Sequence, residues 1–531
     1  MMKRKLKKIF SISIVLMMTL SMVVGCSSSK DEGESQSSEG KYGGVLDISL
    51  SSVPKSLDPV KFTGVYEGDI ICNIADTLVA YNKEQTEIVP LLATEWKIED
   101  DGKSYIFKLR EDVYFQKGEF QDGRQMTAED VKYSLERSAK ESALNRLPSV
   151  KDVEVLGDFE VKVNLTTADA TFLTNLTNMG NVIVPQEEVE GQGDAFATNL
   201  IGTGPFKLAE FKKDSYAKLE RNENYWGEKP YLDGVNFKFI TDTNMTVNAL
   251  RTGELDVATD VSGEGIEIIK NEANLELKEV EGLHVAYIYM NLMEGPTKDK
   301  KVREAIAMAI DKESLVKGVY QHGEATTASL PLPPGSWGYD ESLENSVPEY
   351  NPTEAKKLLA EAGYEDGFET ELYISDTPER VKMATIVQQM LKENLNIDVS
   401  IKTQEWGTFS EIGAKGNAPI FAMSWTWYSD PFFFLNKMFH SSEIGSLGNG
   451  QGFNSPEVDK LLDEALVNPD QDERTNLYKE ATKLIVEETP AIWYANEKVI
   501  YGMSNKVKGF ELRADNIKQL VGPDMNVYLE Q

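Results

Sequence analysis

The N-terminus constrains this chain before any other feature does. Lys3, Arg4, Lys5, Lys7 and Lys8 stand together with no acid among them, and an apolar run from Ile9 to Val24 follows, ending at Val23-Val24-Gly25-Cys26. A basic end, an apolar stretch and small residues at a cleavage point make up a secretory signal. The apolar stretch has 16 residues, shorter than the roughly 20 that a spanning helix needs. The remainder is expected to fold outside the cytoplasm, where disulfides are common supports. Past Cys26, however, only Cys72 is left. No internal disulfide is then available, and the fold must rest on buried apolar cores. Cys72, within Asp69-Ile70-Ile71-Cys72-Asn73-Ile74, reads as a small core residue.

A Cys directly after Gly at the cleavage point resembles the bacterial lipobox. By that resemblance residues 1–25 are removed, and Cys26 is acylated and becomes the mature N-terminus. Residues 26–40, which continue as Ser-Ser-Ser-Lys-Asp-Glu-Gly-Glu-Ser-Gln-Ser-Ser-Glu-Gly, hold nothing that could be buried and read as a flexible tether.

About 500 residues remain, more than one ordinary core accommodates, so two or more lobes are expected. The precursor has 55 basic and 87 acidic side chains; without residues 1–25 the count is 50 against 87, a net charge of −37. That excess argues against nucleic acid and against adhesion to anionic lipid headgroups. It does not make the ligand a cation, because acids on solvated faces give the same count.

Catalytic and metal signatures are missing. His284, His322 and His440 are not spaced as a metal pair, and there is no HExxH, CxxC, Gly-x-Ser-x-Gly or phosphate-binding loop. Gly202-Thr203-Gly204-Pro205 reads as a tight turn into a strand at Phe206-Lys207-Leu208. No cofactor is implied. A carboxylate pair of the glycosidase kind needs only proximity in space, which leaves a hydrolase as a remote alternative.

The body alternates strands and helices. Residues 104–110 alternate as a strand does, and 153–165 hold two short strands around Gly157-Asp158. Asp100-Asp101-Gly102 reads as a hairpin turn. Thr127, with Asp130 three residues on, predicts a capped helix start. Helices are predicted over 300–310, 353–362, 380–394, 456–466 and 472–488. The class is α/β, or mixed α+β.

Six blocks in order resemble the solute-binding proteins of oligopeptide, dipeptide and nickel ABC importers, known as family 5. They are Lys55-Ser-Leu-Asp-Pro59; residues 88–113 with Thr127-Ala-Glu-Asp-Val131; Ile201-Gly-Thr-Gly-Pro-Phe206 with Arg221-Asn-Glu-Asn-Tyr-Trp226; Lys301-Val-Arg-Glu-Ala-Ile306 with Ile310-Asp311; 355–363 with Gly367-Phe368; and 454–462. The resemblance covers nearly all of the mature chain. It implies a two-lobed, hinged periplasmic-binding-protein type II fold with an extra subdomain on the first lobe. Lobe I would collect 41–80, 200–282 and 491–531; the extra subdomain 81–199; lobe II 283–490. Hinge strands would lie near 285–290 and 491–494. The implied role is that of a non-enzymatic, membrane-anchored receptor that closes on a solute and hands it to an ABC permease and its ATPase.

For the ligand site the sequence offers the aromatic cluster Trp406, Trp425, Trp427 and Tyr428, followed by Asp430, with Tyr66 and Tyr494 as weaker candidates. Large rings give rigid walls, and Asp430 could attract an ammonium group. The family places ligand-facing tryptophans at Trp406 and Trp425. Its peptide-binding members carry an Asp three residues after the second of these, which pairs with the peptide amine. Tyr428 holds that place here, leaving Asp430 as the substitute. Arg146 reads as a solvated loop residue, with an anionic ligand end as the other reading. Peptide is the leading ligand class. A nickel–chelator or other metallophore complex and a sugar are the alternatives on the same fold, and a surface sensor or adhesin is the alternative without transport.

Overall fold

Two long strands organise the molecule. The computed structural model describes residues 42–530 except 63, 427, 523 and 524, so the predicted signal, Cys26, the tether and Trp427 lie outside the described residues. Within that range Leu275–Met290 and Ala491–Ser504 run antiparallel, and their register shifts between Glu281 and Val285.

Both strands belong to one 11-stranded mixed sheet. On one side of the pair lies a half built around Val45–Leu50, parallel to Gly234–Phe239, with Tyr216–Arg221 and Phe206–Lys212 beyond. On the other side lies Ile420–Thr426, followed by Glu369–Ser375 and Asp398–Gln404 in parallel register. Each half has its own core. Leu46, Ile48, Phe206 and Phe237 anchor the first. In the second half, Ile288, Ile306, Leu372 and Val387 pack on one face of the sheet, and Tyr287, Phe421, Phe434 and Tyr478 on the other. A separate four-stranded sheet, Ala93–Glu99, Ser104–Leu109, Glu160–Leu165 and Val150–Gly157, closes over Phe107, Val131 and Leu135. Among the described residues these four apolar clusters carry the fold without a disulfide, as the cysteine count required.

Local signals behave as the sequence predicts. Thr127 and Asp130 form a reciprocal capping box at the start of Ala128–Glu141. The helices Lys300–Met308, Pro352–Glu361, Pro378–Leu395, Pro456–Val467 and Gln471–Glu487 match the predicted spans to within two residues at each end. Asp101 and Gly102 take positive φ between their two strands. The Gly202–Pro205 segment serves a purpose beyond turning. Gly204 N–H donates to the Ile74 carbonyl at 2.8 Å, and a Cβ on Gly204 would sit 2.5 Å from that carbonyl carbon. The glycines let this backbone lie against the end of helix Val65–Ile74.

Candidate functional site

A cavity of about 1000 Å³ opens where the two halves of the sheet and the four-stranded sheet meet. This is at the upper end of the range for small-molecule sites. Its floor is helix Val65–Ile74, contributing Val65, Gly68 and Cys72, together with Ile517 and Gln519 from the C-terminal segment. One wall carries Arg146, Asp169, Asn175 and Asn178. The facing wall carries Thr426, Tyr428, Phe432 and Lys437 from the second half.

The floor is held from beneath. Lys518 and Asp69 form a wholly buried ion pair at 3.1 Å. Asn73 Nδ2 donates to the Lys518 carbonyl at 2.9 Å, and Leu520 N–H donates to Asn73 Oδ1 at 3.0 Å. Burial pushes the Asp69 carboxyl up to about 7, against the pull of Lys518. Burial opposes the charge on Lys518 too, but Asp69, Tyr501 and Asp260 together hold its ammonium well above the ordinary value. Cys72 is buried as expected, and burial raises its thiol far above the usual range.

The facing walls are bonded to each other. Asn178 Nδ2 donates to the Tyr428 hydroxyl at 2.5 Å. Asp430 Oδ2 accepts from Arg474 Nη2 at 2.7 Å and from Thr174 Oγ1 at 3.3 Å, and Asp430 Oδ1 takes the Phe432 N–H at 3.0 Å. Arg474 also donates to the Ala170 carbonyl at 3.4 Å and lies over the Trp337 ring at 5.2 Å. Burial lowers the proton affinity of Arg474, yet Asp430 and Tyr478 more than reverse this.

The cavity gathers few of the sequence-predicted site residues. Of those described, Tyr428 lines the cavity; Trp406, Trp425, Asp430, Tyr66 and Tyr494 do not. Trp406 opens helix Trp406–Ala414 and is 54% exposed, with its ring 5.7 Å from that of the buried Phe409. Trp425 packs with Phe421 and Met423 on one face of its strand, against the second-half core. Asp430 is 1% exposed and paired with Arg474 at 2.7 Å. Tyr494 is fully buried and takes a hydrogen bond from Arg380. Tyr66 is half-buried beside Ser51 and Lys518. Arg146, expected in solvent, is 7% exposed and faces the cavity. None of the three histidines lines the cavity, and among the described residues no group of three or more His, Cys, Asp or Glu could hold a metal ion.

Asp76, also at the cavity edge, accepts from Thr203 Oγ1 at 2.8 Å and Trp226 Nε1 at 3.1 Å. Burial pushes its carboxyl up to about 6 despite those bonds. A folded-state value above the unfolded one favours the protonated protein, so this group's contribution to stability falls as pH rises from about 4 to 6. Asp76→Asn keeps an acceptor oxygen and removes the titration. Over that interval the variant is expected to gain more stability than the parent, by up to about 3 kcal/mol, as read from urea unfolding at each pH.

The chain matches the sequence model described as "Bacterial extracellular solute-binding proteins, family 5 Middle" over residues 87–446. It is 31% identical over 464 residues to Heme-binding protein A of Haemophilus influenzae, covering 82% of this chain and 84% of that protein. It is 30% identical over 490 residues to the Dipeptide-binding protein of Escherichia coli, covering 86% and 90%. Among solved structures it superposes on the periplasmic binding protein DppA of Helicobacter pylori, in complex with peptide STSA, with a TM-score of 0.75 and 30% identity, covering 93% and 99% of the two chains. These relatives are substrate-binding transport proteins and not enzymes. Among the described residues no helix is long and apolar enough to cross a membrane. A mixed sheet joined by two long strands, a cavity between its halves and a family match over most of the chain converge: this protein belongs to the family 5 extracellular solute-binding proteins of ABC importers and has the type II periplasmic-binding-protein fold.

Proposed function

We propose that the protein captures a peptide-sized solute in the cavity by hinge closure and delivers it unchanged to an ABC permease, while Cys26 tethers it to the membrane by a lipid. The observation that carries this reading is the cavity itself, lined from both halves of the sheet and bridged by Asn178 to Tyr428. In this reading 41–80, 200–282 and 491–531 form the first lobe, 81–199 its extra subdomain and 283–490 the second lobe, with residues 491–495 packing into the cores of the second half. The hinge strands of this reading are 285–290 and 491–494, which pair antiparallel, and register shifts between Glu281 and Val285 and between Ala286 and Tyr287 support bending there. A solute favours the closed form only through contacts that it makes there and not in the open form. A peptide is supported by the dipeptide-binding relative and by the peptide-bound structure, and heme by the Haemophilus relative's name.

A thermal-shift screen of di- to pentapeptides, nickel–histidine complexes, oligosaccharides and heme separates the ligand classes. A peptide at 100 times its dissociation constant is expected to add about 2.7 kcal/mol of stability and to be recovered intact. Stabilisation by heme alone would overturn the peptide reading, and recovery of cleaved peptide would overturn the receptor reading.

A further inference from the structure

We propose that Arg146 is the specificity-determining residue of the cavity and takes a carboxylate, or another planar oxyanion, of the solute. This rests on the receptor reading above and adds the solute's chemistry to it.

Three cations line the cavity among the described residues: Arg146, Lys437 and Arg513. Lys437 is paired with Glu443 at 2.8 Å, and Arg513 with Asp515 at 2.7 Å. Among the described residues Arg146 has no carboxylate in reach. Its Nη2 donates to the Phe62 carbonyl at 2.7 Å, its Nη1 donates to Ser142 Oγ at 3.1 Å, and its guanidinium lies 4.1 Å from the centre of the Phe62 ring. These partners are neutral. Arginine at 7% exposure is ordinarily paired with an acid, since an uncompensated buried charge is costly.

The surroundings keep the group in place. A Cβ on Gly180 would lie 2.5 Å from Arg146 Cδ and 2.7 Å from Nε, so the absent side chain is the space that the arginine occupies. The stacked Phe62 ring and the two hydrogen bonds then fix the guanidinium plane before any solute arrives. Tyr428, on the facing wall, is electrostatically coupled to Arg146. Its oxygen accepts from Asn178, which leaves its own O–H to donate. A guanidinium fork and a phenol O–H are both donors, and together they suit an oxyanion. Closing on a carboxylate would supply the counter-charge that Arg146 lacks among the described residues.

Calorimetric titration with succinate, trialanine and trialanine amide tests this. The parent protein is expected to bind trialanine about 10- to 100-fold more tightly than its amide. Arg146→Gln is expected to weaken succinate and trialanine by about the same factor and to erase the acid-to-amide preference, with Arg146→Lys intermediate. Gly180→Ala leaves every charge in place but crowds the guanidinium, and is expected to reproduce the loss should Arg146→Gln not fold. Equal affinity in parent and variants, an amide bound as well as the acid, or no binding of either carboxylate by the parent overturns the assignment. Native mass spectrometry of the purified proteins distinguishes the two levels. A solute retained equally by parent and variants removes the role of Arg146 and leaves the receptor standing. No retained solute, together with no response to any of the three probes, removes the receptor reading itself.

Discussion

Asp430→Ala is expected to lower stability by about 3 to 5 kcal/mol, the cost of leaving a buried charge without its partner. Asp430 and Arg474 are 1% and 6% exposed, so water cannot take over when one is removed. The paired replacement Asp430→Leu with Arg474→Met removes both charges and is expected to restore most of the loss. Urea midpoints of Asp430→Leu, Arg474→Met and the double, combined as a cycle, give the coupling directly. The same variants decide what Asp430 is for. If it received a ligand amine, the double variant would lose binding whatever its stability. As a brace that ties Thr174 on one wall to Arg474 on the other, it affects binding only by loosening the closed form.

Lys518→Met is expected to have a comparable effect, about 3 to 5 kcal/mol at pH 8, with a pH dependence of its own. It strips Asp69 of its counter-charge in a site where burial already holds that carboxyl near 7. Without Lys518 the value rises further, so the variant favours the protonated acid. A folded-state value above the unfolded 3.8 means that stability is retained in acid and lost as pH rises through neutrality. The cost should therefore shrink at pH 5, where Asp69 can take up a proton. Parent and variant unfolding curves at pH 5 and pH 8 check this; an equal cost at both would show that Asp69 keeps its charge without the lysine. Because this pair lies beneath Gly68 and Ile517, the variant also tests whether the cavity floor depends on it.

What the sequence made legible was local. The Thr127 to Asp130 capping box spans three residues and acts within one helical turn, so it can be read from the chain alone. Strand alternation over 104–109 and the turn at Asp101-Gly102 are equally local. The same alternation carried a warning about Trp425. In strand Ile420–Thr426, positions 421, 423 and 425 share a face, and Phe421 and Met423 commit that face to the core. The cavity itself had no such signal. Asn178 and Tyr428 are 250 residues apart, Thr174 and Asp430 256, and Asp69 and Lys518 449. Partners that far apart leave no spacing to read. Arg146 looked like a loop residue because neither Phe62 nor Gly180, which make its slot, is close to it in sequence. The family resemblance supplied the architecture, but the residues that carry it mostly form turns, caps and cores; of them only Leu91 is among the described residues lining the cavity.

Hydrogen exchange on protein stripped of solute by unfolding and refolding, compared with the same protein reloaded with a stabilising peptide, tests the central claim most directly. Closure of two halves over a shared solute predicts added protection in three places at once: the floor around 65–76, the wall around 174–180, and the facing wall around 428–437. Protection confined to one half, or none at any of the three while the peptide is bound, would contradict it.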